Sequence, residues 1–292
     1  MILCAALWGT AFPGIKFVYA HWGEATGSDG GSFSMQLVFA GVRFAIAGLL
    51  LFPFSKDPFG KLPAGAWKQL MVIALTQTFG QYLFFYAGLA VSSGVLASLL
   101  VSTGSFWWVI LAPLMLKTPK PTAKHWLLLG VSAIGITLAV HKPGGGAGNP
   151  ILGAALFLGA SLCGAIALIF VGRLTRKIDS VKATALSLFC GGLLLTLVGT
   201  GGIRQFVEVI DVSTGVMTLY LAFVSATAFG LWNRLAQLFP VNLLAGYRFL
   251  IPLSGVILSA LLIPGETIGL GAAIGGGMVL SALVWLNRVP ND

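Results

Sequence analysis

The sequence predicts an all-α integral membrane protein with ten transmembrane helices, arranged as two inverted five-helix repeats, both termini cytoplasmic. Three observations carry this expectation. Of 292 residues, 57% are hydrophobic and only 9% charged, against roughly 25% charged in an ordinary soluble domain. Apolar runs close to the roughly 20 residues that cross a hydrocarbon layer recur from end to end. Lysine and arginine gather in alternate connections between those runs.

Breaking the chain at charged, proline-rich or glycine-rich turns places spans at 2–20, 34–54, 66–88, 92–116, 124–141, 151–172, 181–203, 213–234, 241–263 and 267–287. The first span opens the sequence directly. "MILCAALWG" lacks the charged start and small-residue cleavage site of a secretory leader, so it is read as the span itself. The second span stops at "FPFSKD", and the third begins after "KLPAG". Only a short link separates the third from the fourth, which ends at "LKTPKPT". The fifth runs into "HKPGGGAG", the sixth ends in "RLTRK", and the seventh follows "IDS". The eighth ends near Arg234, and the ninth stops at "PGET" before the tenth. The runs are continuously apolar, without the period-two alternation of barrel strands, which favours helices.

Orientation follows the basic residues. Lys56, Lys61, Lys68, Lys117, Lys120, Lys124, Arg173, Arg176, Lys177, Lys182, Arg234 and Arg288 fall on one side, and only Lys142 and Arg204 on the other. This asymmetry puts both termini in the cytoplasm. It also accounts for most of the net charge of +9 as a topological bias and an attraction to anionic lipid, with no nucleic acid expected as a partner. Three cations remain inside spans: Lys16, Arg43 and Arg248.

Five spans is an odd number, so a repeat of the first half by the second is upside down. "YLFFYAGLAVSSGVLASLLVSTG" (82–104) aligns with "GLWNRLAQLFPVNLLAGYRFLIP" (230–252), and the tails 111–119 and 259–267 then coincide. This divides the chain into repeats at 1–142 and 143–292. The residues "LWGTAFPGIKF", "VRFAIAGLLL", "LFFYAGLAVSSGVLASLL" and "LWNRLAQLFPVNLLAGYRFLIPLSGVILSALLIPGET" resemble, in order, the EamA-like ten-helix transporters of the drug/metabolite transporter superfamily. The resemblance implies an inverted repeat, a central cavity between spans one, three, four, six, eight and nine, and a multi-pass protein of a bacterial inner membrane. Ile251 stands where the family often has an acid before the mid-helix proline, here Pro252. In the first repeat Gly104 takes the proline position, and Lys117 and Thr118 replace the Gly265–Glu266 turn.

Ionisable side chains in spans are costly and mark cavities or partners. All eight acidic residues read as loop, turn or tail positions, which leaves the intramembrane cations to carbonyls, water, snorkelling or an anionic solute. Lys16 is placed about 6 Å below the outer end of the first span, at 1.5 Å per residue, and is, with Arg248, a candidate to bind the solute's carboxylate. Arg43, near mid-depth, is expected to be a structural buried charge. Arg248, beside Tyr247, is a candidate solute contact. Gln77 and Gln81 share one helical face with Tyr82 nearby. Ser102 belongs to a polar, small-residue waist before Trp107 and Trp108, which lie too deep for an interfacial belt; with Gln77, Gln81 and Tyr82 these are candidate solute contacts, the glutamines for its polar part and Trp107 or Trp108 for an apolar side chain. Pro13 and Pro252 are the candidate helix breaks or gates.

Cys4, Cys163 and Cys190 lack metal-ligand or CxxC spacing, and no phosphate-binding loop or catalytic signature occurs. No metal or cofactor is expected, and the chain is not expected to be an enzyme. With the resemblance, the cations without internal acids imply export of amino acids or related small carboxylate-bearing metabolites by alternating access. Exchange of anionic or phosphorylated metabolites is the alternative. Multidrug export, a channel and an intramembrane enzyme rank lower. The expected partners are a small-molecule solute and the lipid bilayer, with a monomer favoured over a dimer.

Overall fold

The structure is a computed structural model that describes residues 1–27, 30–116, 119–141, 148–238, 250–286 and 288. It is helical, with no strand among the described residues. The helices are α1 (Ile2–Thr26), α2 (Phe33–Leu51), α3 (Ala66–Ala90), α4 (Gly94–Met115), α5 (Ala123–His141), α6 (Pro150–Leu174), α7 (Ser180–Val198), short α8 (Ile203–Val209), α9 (Val212–Leu238), α10 (Leu250–Leu262) and α11 (Leu270–Leu286). Eight are long and apolar enough to cross a membrane, and α10 and α11 are shorter apolar helices. Leu114, Leu127, Leu193, Leu197, Leu219 and Leu261 are exposed on helix surfaces, which suits lipid contact and would be costly in water.

Local chemistry ends the helices where the turns were expected. Ser32, Ser93, Asn149 and Asp179 each accept a hydrogen bond from a first-turn amide of α2, α4, α6 and α7, satisfying an otherwise orphaned donor. Two expected boundaries move. The first helix continues to Thr26, six residues past the expected end. The seventh stops at Val198, and the chain then forms α8, whose Phe206 packs edge-on against Trp22 at 6.0 Å.

Contacts between turns define two ends of the bundle. At the basic end, Lys182 Nζ donates to the carbonyls of Asp57 and Gly60, both at 2.7 Å. There too Arg173 Nη2 donates to Met115 O and Gln237 Nε2 to Thr175 O. At the far end His21 meets Asp211 at 2.9 Å, Ser32 bonds Gln205, and the amide of Asn149 donates to Val91 O.

The helices pack in matched sets. α2 lies on α7 and α5 on α11; α1 packs on α10 and α9, as α6 packs on α4 and α3; α2 meets α9, as α7 meets α3. Glycine allows the closest of these approaches. A Cβ added at Gly192 would lie 2.5 Å from Ala45 N and 2.7 Å from Gly41 O; one at Gly135 would lie 2.6 Å from Gly275 O. Both would strike backbone, which cannot rotate away. Gly192→Leu is therefore expected to lower stability in detergent by about 1–3 kcal/mol. Gly215→Ala, which meets nothing within 4 Å, is expected to leave the thermal midpoint unchanged or raised. Thermal unfolding of the two variants checks this.

Candidate functional site

A cavity of about 150 Å³ lies among the helices. Its wall takes residues from α1, α3, α4, α6, α9 and α10, the six spans that the resemblance implied, together with Arg43 of α2 and Leu283 of α11.

Two irregularities in the helices shape its polar side. In α3 the stretch Ala74–Gly80 is wound as a π-helix, a local widening that often marks functional positions. Gln77, Gln81 and Tyr82, from this stretch and the turn after it, all reach the cavity. Gln77 is buried and its Oε1 has no partner. Gly164 makes room for Gln81, since a Cβ there would fall 2.7 Å from its Oε1. α4 is interrupted at Ser102 and Thr103, between Gly94–Val101 and Gly104–Leu116. The hydroxyls turn back on the helix: Ser102 Oγ donates to Leu99 O and Thr103 Oγ1 to Leu100 O. Thr103 also bonds Ser161 of α6 at 2.8 Å, and Trp107 Nε1 donates to Ser161 Oγ at 3.0 Å. Of the expected polar waist, Ser102 and Gly104 line the cavity; Trp107 and Trp108 stand outside the lining.

The three intramembrane cations fare differently. Arg43 is 2% exposed, and its Nε and Nη1 have no hydrogen-bond partner. Its guanidinium carbon lies 4.3 Å from the ring centroid of Phe44 and 5.6 Å from those of Tyr82 and Tyr86. Cation–π attraction of this kind offsets part of the desolvation cost. Arg43, expected as a structural charge, is thus also part of the cavity wall.

Lys16 is not in the lining, and the extension of α1 to Thr26 puts it about 15 Å along the axis from the helix end, in place of the expected 6 Å. It is not without an acid nearby. Glu266 in the turn before α11 is 6% exposed, and its charge couples to that of Lys16. Its Oε1 accepts from the Gly94 amide at 2.7 Å and its Oε2 from the Val95 amide at 3.0 Å, capping α4. The expectation that no carboxylate faces an intramembrane cation is corrected here, because the turn folds Glu266 back over the helix start. Arg248 and Tyr247 lie outside the described residues.

Pro13 is buried inside α1, which continues through it without a break. About two turns before Pro13, α10 holds α1, where Ser254 Oγ donates to Ala5 O at 2.7 Å. Pro252 lies in the first turn of α10 as described and lines the cavity.

The remaining wall was not anticipated from the sequence. Trp8, Phe229 and Trp232 form an aromatic group, with Trp8 5.3 Å from Phe229 and 5.5 Å from Trp232; Ser161 and Ser225 add hydroxyls. Above the cavity, toward the far end, Tyr19, Trp22, Phe39 and Tyr86 are all buried. Trp22 packs edge-on to Phe39 at 5.3 Å, and Tyr19 to Tyr86 at 6.4 Å.

Burial raises the Glu266 pKa, opposed by the two amide donors and by Lys16. A carboxyl with a higher pKa folded than unfolded binds its proton more tightly when folded, so its contribution to stability grows as pH falls through the raised value and is lost as pH rises. Glu266→Gln is expected to flatten that part of the stability–pH curve, and Glu266→Ala to cost about 1–3 kcal/mol by orphaning two amides. Thermal midpoints across the acidic range measure both.

The EamA-like transporter family model matches residues 1–141 and again 151–288. A "Probable amino-acid metabolite efflux pump" of Salmonella typhimurium is 26% identical, covering 98% of this chain and 92% of that protein. An "Uncharacterized transporter YvbV" of Bacillus subtilis is 24% identical over 96% and 88%. A solved structure described only as "Crystal structure of protein" superposes with TM-score 0.53 and 16% identity over 98% of both chains, a likeness of fold alone. With its family match spanning both halves, the chain belongs to the EamA-like transporter family: it is a multi-pass membrane transporter.

Proposed function

We propose that this transporter exports amino acids or related small carboxylate-bearing metabolites by alternating access, with Arg43 holding the carboxylate. The observation that carries the proposal is the cavity wall itself: a buried guanidinium with two nitrogens unpartnered, and no acidic residue in the lining among the described residues. A charge at mid-depth costs roughly 2.5–3.5 kcal/mol on insertion scales, and an anionic group between it and the glutamines would offset that cost. Gln77 and Gln81 then meet the polar remainder, and Trp8, Phe229 and Trp232 form the apolar side.

Supporting the alternating-access part, the family model matches twice in succession, and the helix contacts fall into matched sets, as two related five-helix copies would give. On this reading the chain is two five-helix repeats, 1–142 and 143–292, and the basic end faces the cytoplasm of a bacterial inner membrane. Lys16, placed away from the cavity wall and coupled to Glu266, becomes part of the far-end gate, with Pro13 and Pro252 easing movement of α1 and α10.

Purified protein in liposomes is expected to show saturable flux of an amino acid or organic acid in a screen of both. Arg43→Gln is expected to lower that flux roughly tenfold to a hundredfold, the value of one charge-assisted hydrogen-bond set, without lowering the thermal midpoint, since it removes orphaned donors. Flux that requires solute on the opposite side would point to exchange. Normal flux by Arg43→Gln would remove Arg43 from the binding role.

A further inference from the structure

Between the cavity and the far end runs a row of buried polar groups that the closed bundle leaves unmet. On α2, Gln36 and Arg43 lie seven residues apart on one face, about 10 Å along the axis. Facing them are Tyr86 of α3 and Tyr19 of α1. Arg43 lies 5.6 Å from the Tyr86 ring, Tyr86 lies 6.4 Å from Tyr19, and both Tyr19 and Gln36 pack against Gly30 in the turn before α2. Gln36 Nε2 donates to Gly30 O at 3.2 Å. All four residues are at most 5% exposed, yet Arg43 Nε and Nη1, Tyr86 Oη, Tyr19 Oη and Gln36 Oε1 have no partner.

An unmet buried hydroxyl costs roughly 1–3 kcal/mol, and each such group in a native fold calls for a reason. Packing does not supply one. Phenylalanine fills the adjoining positions 12, 39, 44, 85 and 206 in the same core, and it would fill 19 and 86 equally well. The hydroxyls cost stability in the closed arrangement, so their use belongs to another one.

We infer that Arg43, Tyr86, Tyr19 and Gln36 form the outward half of the transport path, a polar track that is shut here and reached by water when the far end opens. It presents donors in sequence to a carboxylate leaving the cavity, first the guanidinium and then two phenols. Gln36 Oε1 is the acceptor at the mouth, suited to an ammonium group. This rests on the export reading above and extends it, by giving a route and three residues, Tyr86, Tyr19 and Gln36, that act after the solute leaves its cavity.

The test replaces Cys4, Cys163 and Cys190 with alanine and then introduces Tyr19→Cys, Tyr86→Cys or, as a control, Leu37→Cys. Leu37 is equally buried on α2 but packs against Gly199, off the track. Intact cells are treated from outside with sulfonatoethyl methanethiosulfonate, an anionic reagent that does not cross the membrane. Tyr19→Cys and Tyr86→Cys are expected to react about tenfold faster than Leu37→Cys, because only they open to water and face a cation. Reactivity no greater than that of the control, or reactivity confined to Tyr19→Cys, overturns the track. In a separate arm, the double variant Tyr19→Phe, Tyr86→Phe keeps the packing. It is expected to slow flux of the best amino acid from the screen about tenfold with an unchanged or raised thermal midpoint; wild-type flux overturns the role of the hydroxyls. If the wild type carries no amino acid or organic acid while both cysteines react, the track stands and the substrate reading falls.

Discussion

A guanidinium buried in a helical membrane bundle, with two of its nitrogens unbonded, sets the terms for the rest of this structure. Arg43 is almost wholly buried, and no carboxylate among the described residues pairs with it. The aromatic rings of Phe44, Tyr82 and Tyr86 recover some of the lost hydration through their π faces. They leave Nε and Nη1 without a hydrogen-bond partner in a side chain that belongs to the cavity wall. The neighbouring irregularities, the π turn of α3 and the interruption of α4, bring amides and backbone to the same place, where unbroken helices would offer only side-chain methylenes.

The scaffold around this site is rigid where glycine lets backbones touch. The α2–α7 and α5–α11 contacts have no side chain to compress at Gly192 or Gly135, so each pair moves as a body if it moves. The far end is closed differently, by edge-on aromatic rings and by Glu266 capping α4 from the opposite half of the chain. Ring packing and one carboxylate cap can separate without breaking a helix, a division suited to a protein that opens at its ends while its helix pairs persist.

Much of this was legible in the sequence because membrane spans obey a simple rule: long apolar runs bounded by charges and turns. The described helices lie close to the expected spans, positions 241–249 of the ninth falling outside the described residues, and Gln77, Gln81, Tyr82 and Ser102 do meet at one cavity, since polar residues deep in apolar helices have few other places to go. What was not legible depended on tertiary geometry. Trp8, Phe229 and Trp232 look like any apolar span residues until their helices are placed together. Glu266 reads as a turn residue and is one, but only the fold shows the turn tucked over the start of α4. The depth of Lys16 was misjudged because "HWGEAT" carries polar residues that resemble a loop, whereas α1 continues to Thr26. Arg43 was expected to be a structural charge at mid-depth, and only the shared wall of α1, α2 and α3 brings it to the cavity.

The central claim is that Arg43 holds the solute's carboxylate. It is tested most directly by a binding cycle in which the amino acid preferred in the flux screen and its carboxamide are each titrated against wild type and Arg43→Gln. The account predicts that wild type favours the acid over the amide by about tenfold or more, and that Arg43→Gln abolishes the preference, giving a coupling of at least about 1.4 kcal/mol. Equal preference for the acid in both proteins would contradict it.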